Sequence, residues 1–79
     1  MDAATVKVLL QTHLPECEFH VQGEGSNYNI TAVGEVFAGQ RPVKKQQLVY
    51  GALADNIADG SIHAVNIRIF TPAEWQSQG

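Results

Sequence analysis

A helical stretch lies between two stretches of alternating apolar residues, and this order narrows most sharply the folds open to the chain. Upstream, from Tyr28 to Phe37, Tyr28, Ile30, Ala32 and Val36 fall on one side of an extended run, with Asn29, Thr31, Val33 and Glu35 opposite. Downstream, from Ser61 to Phe70, Val65, Ile67 and Ile69 alternate with Asn66 and Arg68. A period of two marks a strand that buries one face. Between them, Pro42 to Ala58 places Val49, Tyr50, Leu53, Ala54 and Ile57 in a helical stripe. Pro42 suits a first turn, where its missing N–H has no partner to lose, and Gly60 after Asp59 suits a left-handed terminus. A helix of about 16 residues is the length a parallel crossover needs. The two strands are therefore expected to lie parallel.

The flanking segments complete the pattern. Asp2 can cap a first helix that carries Ala3, Val6, Leu9, Leu10 and His13 or Leu14 on one face, and Pro15 ends it. From Glu16 to Val21, Cys17, Phe19 and Val21 alternate with Glu16, Glu18 and His20, which predicts a strand. Gly23, Gly25, Ser26 and Asn27 mark a turn, so this strand and the next form a hairpin. At the end, Thr71, Pro72 and Glu74 make a capping box, and Phe70 and Trp75 stand at the two positions of a hydrophobic staple. The expected fold is α+β in the order α-β-β-α-β-α, a single three-stranded mixed sheet with helices on one face. Seventy-nine residues make one domain, residues 1–79, with a small core.

A net charge of −3 gives no general attraction to nucleic acid or anionic lipid. One cysteine allows no internal disulfide, which suits a reducing compartment. The N-terminus has no secretory pattern and no run is long enough to span a membrane, so a cytoplasmic chain is expected. No enzyme motif stands out: there is no Ser-His-Asp order, carboxylate pair or nucleotide fingerprint, and Gly23-Glu24-Gly25 lacks the spacing and lysine of a phosphate loop.

A few side chains remain as candidates for chemistry. His63 opens the last strand and by parity shares the face of Val65 and Ile67. It is either a neutral core histidine or a ligand or proton-transfer group at the rim of the sheet. Cys17, beside Phe19 and Val21, reads as a small apolar residue, and His20 as a solvated one able to reach a partner. Arg41, Lys44 and Lys45 are three of the chain's five basic residues, and no acid lies between Gln40 and Tyr50. They form either a solvated face or a docking patch for an anion or an acidic surface, placed at a helix N-terminus.

Taken in order, Phe37, Gly39, Arg41 and Tyr50, then Ile62-His63-Ala64, then Thr71-Pro72-Glu74-Trp75, resemble the BolA family over nearly the whole chain. The resemblance implies a fold similar to the second type of KH domain. It also implies partnership with monothiol glutaredoxins of the CGFS type, and a [2Fe-2S] cluster shared between the two proteins. The glutaredoxin cysteine and a glutathione thiol supply one side of that cluster, and His63 stands at the family's ligand position on the other. Many relatives carry a second ligand in the loop between the first strands, but Gln22 to Asn27 holds neither cysteine nor histidine. Cys17 and His20 are the nearest substitutes, with His20 better placed. Arg41, Lys44 and Lys45 are then expected to favour glutathione carboxylates or an acidic rim on the partner. The alternative is a DNA-binding transcriptional regulator, against which stand the acidic pI of about 5.4 and the lack of a KH Gly-x-x-Gly among seven glycines. The family's Arg-His-Arg run in the second helix is Lys45-Gln46-Gln47 here, which weakens charge-based contacts. A stress protein whose association titrates through His13, His20 and His63 is a third reading.

Overall fold

In a computed structural model, which describes residues 1–78, the chain forms α1 (Ala3–His13), β1 (Glu18–Glu24), β2 (Asn27–Val33), α2 (Pro42–Ala58), β3 (Ala64–Phe70) and α3 (Pro72–Gln78). A short 3-10 turn, Glu35–Phe37, links β2 to α2. The sheet order is β1-β2-β3, with β1 antiparallel and β3 parallel to β2. The expected crossover is present, and α2 has the expected bounds.

Each helix starts where its sequence provides for it. The Asp2 carboxylate accepts from Thr5 N–H at 2.8 Å and caps α1. In α3, Thr71 N–H donates to Glu74 Oε1 at 2.7 Å and Glu74 N–H donates to Thr71 Oγ1 at 3.2 Å, a complete capping box. Phe70 and Trp75 close the staple with ring centroids 5.4 Å apart.

The core lies between the sheet and α1 and α2. Val6 and Leu10 from α1, Phe19 from β1, Ile30 and Ala32 from β2, and Val49 and Leu53 from α2 are fully buried or nearly so, joined by Phe37 and Ile62 from the links. Burying one such large apolar side chain is worth about 1.5–3 kcal/mol. The other face of the sheet carries His20, Gln22, Asn29, Thr31, Asn66 and Arg68, which the pairing places side by side. The helices expected on one face are α1 and α2; α3 sets Trp75 against His20 and Phe70, which project from the other face.

Several strand limits differ from expectation, each because backbone groups find other partners. β1 begins at Glu18 rather than Glu16, since Cys17 N–H turns back to Leu14 O at 3.1 Å. The hairpin turn is only Gly25-Ser26, and Gly23, Glu24 and Asn27 join the ladder. Gly25 has φ +67° at the first central position, as a two-residue hairpin turn with glycine there requires. β2 stops at Val33 rather than Phe37. Gly34 N–H makes the last bond, to Phe70 O at 3.0 Å, and the 3-10 turn then drives Phe37 into the core. β3 begins at Ala64 rather than Ser61. Lastly, only Val49 and Leu53 of the α2 stripe are buried; Tyr50, Ala54 and Ile57 are exposed.

Candidate functional site

The site forms where the segment before β3 meets the β1–β2 turn. Gly60 leaves α2 with φ +83°, and Asp59 accepts from Ser61 N–H at 2.8 Å and from the Ser61 hydroxyl. These bonds hold the Asp59 carboxyl below its ordinary range, first through the Ser61 side chain and then through its backbone. Ile62 N–H donates to Asn56 O at 3.0 Å, and its side chain is 1% exposed in the core. His63 N–H donates to Ser26 O at 2.7 Å, and Ala64 N–H to the same carbonyl at 3.1 Å. Ser26 is fixed in turn through its neighbour: Tyr28, 2% exposed, points its hydroxyl at Gly25 O, 2.6 Å away, and at Met1 O, 2.7 Å away. A buried tyrosine needs such a partner for its polar tip.

His63 is thus fixed in its backbone and free in its ring. Its side chain is exposed, which corrects both the core-histidine reading and the parity that set it beside Val65 and Ile67. Parity fails because residues 61–63 lie outside the ladder, and Ile62 takes the core position instead. Sequence reasoning singled out His63 but missed Ser26 and Tyr28, which hold it. A tyrosine at an inward position beside a glycine turn was the available signal.

The other candidates do not join it. His20 sits at the level of Thr31 and Arg68, five β3 positions beyond His63, or about 17 Å at the rise of a strand. Its Nε2 lies 2.6 Å from Glu18 Oε2, and its ring stacks on Trp75 at 5.4 Å. It is therefore held by neighbours rather than simply solvated. Cys17 precedes Glu18, whose level is that of Phe70, so it lies more than about 20 Å from His63. Its thiol is buried against Gly34, and burial, then the charge of Glu16, pushes its pKa up. A ligand must be a thiolate. Neither residue can share one cluster with His63 within a single chain, and no group of three metal-ligating side chains occurs among the described residues.

Arg41 and Lys44 are exposed and Lys45 is half-buried at the start of α2. Lys45 is close enough to Glu74 for its charge to help lower that carboxyl. Lys45, the patch residue nearest the end of α2, lies 13 residues before Ala58, a run of about 20 Å from the turn that carries His63.

The chain is thus an α-β-β-α-β-α protein with an open three-stranded sheet and an exposed histidine whose backbone is anchored at the sheet's rim. The chain belongs to the BolA-like protein family, whose model matches residues 1–74. It is similar to the acid stress protein IbaG of Escherichia coli K12, 49% identical over 95% of this chain and 89% of that one. It is also 46% identical to the DNA-binding transcriptional regulator BolA of Vibrio cholerae, over 70% of this chain and 51% of that protein. Among solved structures, a BolA homologue from Coxiella burnetii superposes with a TM-score of 0.84 at 26% identity, covering 96% of this chain and 97% of that one. No helix among the described residues is long and apolar enough to cross a membrane.

Proposed function

We propose that this chain docks on a monothiol CGFS glutaredoxin and shares a [2Fe-2S] cluster with it, in iron–sulfur trafficking or iron and acid-stress regulation. His63 supplies this chain's ligand; the glutaredoxin cysteine and glutathione supply the opposite side. The carrying observation is an exposed imidazole on a backbone fixed at Ser26. Such a group fits one ligand position on a cluster held between proteins. It does not fit a resident cluster, for which the described residues offer no ligand set. Imidazole in place of thiolate raises the cluster's potential.

The test is anaerobic reconstitution of a monothiol glutaredoxin with glutathione, followed by titration with this chain and visible circular dichroism. A new spectrum at equimolar ratio, lost in His63→Ala, is expected. His63→Cys should keep a cluster but move its spectrum and lower its potential. No change with the wild-type chain would overturn the reading.

The second reading, a DNA-binding regulator, draws on the name of the Vibrio cholerae relative and the exposure of Arg41 and Lys44. A phosphate footprint requires affinity that falls steeply with salt, by a slope near 0.9 per phosphate contact. A flat salt response removes it.

A further inference from the structure

The helix α2 carries more apolar surface than the core uses. Val43, Tyr50 and Ile57 are 63%, 38% and 39% exposed, and they are three of the five exposed large hydrophobics among the described residues. They recur every seven residues, with Gln47 and Ala54, both exposed, between them. Positions at i, i+4, i+7, i+11 and i+14 form one seam along a helix.

The seam's direction follows from its neighbours. Val49 and Leu53 face the core. On one flank, Gly51 faces α1, where an added Cβ would stand 3.2 Å from His13 Nε2, and Leu48 and Ala52 pack half-buried. On a helical wheel the seam is on the opposite flank, away from α1 and beside β3. There β3 is an edge strand, and its Val65, Ile67 and Ile69 are only half-buried. β3 has no proline and a single charge, Arg68, whereas the other edge strand, β1, carries Glu18, Glu24 and a glycine at φ +131°. Edge strands without charges, prolines or distortions are open to pairing.

We infer that this flank pairs with a second copy of the chain, through antiparallel β3 edges and crossed α2 seams about one two-fold axis. Self-complementarity selects this occupant. The midpoint of β3 is Ile67 and the midpoint of α2 is Tyr50, so one axis can pass through both. About Ile67, Val65 meets Ile69 of the second copy, Asn66 meets Arg68, and small Ala64 meets large Phe70. About Tyr50, Val43 meets Ile57. No like charges oppose one another. The spacing also agrees: paired strands stand about 4.8 Å apart, so helices above the β2–β3 gaps of the two copies lie about 10 Å apart. That is the usual distance between packed helices.

Sedimentation equilibrium on the full chain, from micromolar to millimolar concentration, tests this. Wild type should show a dimer fraction that rises with concentration. Tyr50→Glu, at an exposed site, should remain monomeric with an unchanged unfolding midpoint. The register has its own variants. Asn66→Arg sets like charges opposite each other twice across the axis and should weaken association about fivefold, whereas Asn66→Asp should strengthen it. A chain that is monomeric throughout, or a dimer indifferent to Tyr50→Glu and to both Asn66 variants, overturns the inference. None of these variants touches His63, so the outcome is independent of the cluster reading.

Discussion

Gly34 shows how a single missing atom fixes a neighbour's chemistry. Its φ of −172° is ordinary extended backbone, so glycine is not needed there for conformation. It is needed for room: a Cβ would stand 2.5 Å from Cys17 Sγ. The close approach of Gly34 is part of what buries the thiol and makes Cys17 a core residue rather than a ligand. Gly34→Ala should cost about 1–3 kcal/mol, the usual penalty for overpacking a core. Cys17→Ala should recover much of that loss, because it removes the colliding sulfur. Urea unfolding of the two single variants and the double variant checks this, and additive effects would count against it. Neither position announces the other in the sequence, since the contact joins the residue before β1 to the residue after β2.

At the scale of elements, what was legible was what is local. The limits of α2 follow from Pro42 at its start and Asp59-Gly60 at its end, and the α3 box and staple follow from residues 70–75 alone. Strand limits were less legible because a ladder ends where its partner ends. β2 stops when Gly34 takes the last carbonyl of β3, and β3 starts late because Ile62 and His63 donate elsewhere. The candidate site divides the same way. His63 could be picked out by position, but its exposure depends on Ser26, a residue 37 positions away. The α2 stripe divides into buried Val49 and Leu53 and exposed Tyr50, Ala54 and Ile57, because periodicity alone cannot distinguish the flank that meets the core from the flank that meets solvent. α3 contributes no fully buried residue, and its hold on the sheet rests on Trp75 against His20 and Phe70. It should therefore undock locally before the rest unfolds. Thr71→Ala removes the acceptor for Glu74 N–H, so Trp75 fluorescence should shift to the red while the main far-ultraviolet transition hardly moves. A loss of cooperativity in the main transition would place α3 in the core unit instead.

At the scale of the molecule, acid response follows from where the carboxylates sit. Asp2 at the start of α1, Asp59 in the turn before His63 and Glu74 at the start of α3 all have lowered pKa values in the folded chain. The causes are hydrogen bonds: from Thr5 backbone, from the Ser61 side chain and from Thr71 backbone, respectively, as the largest contributions. A carboxyl whose folded pKa lies below its unfolded value contributes stability that is fully present above the unfolded value. That contribution is lost as pH falls through the folded value. The ordinary values are 3.8 for Asp2 and Asp59 and 4.5 for Glu74, so the three losses share one window beginning near those values and running below them. All three groups are solvent-exposed, so each contribution is screened and modest. Their common position at element ends makes the effect collective: acid loosens both terminal helices and the turn that carries His63 together. The carboxylate-linked part of stability should hold steady from neutral pH to about pH 5 and decline below it. A triple variant, Asp2→Asn, Asp59→Asn and Glu74→Gln, should be less stable than wild type at neutral pH, and its decline below about pH 4 should be shallower. Urea midpoints measured across the range read both effects, and parallel curves for the two proteins would assign acid sensitivity to other groups.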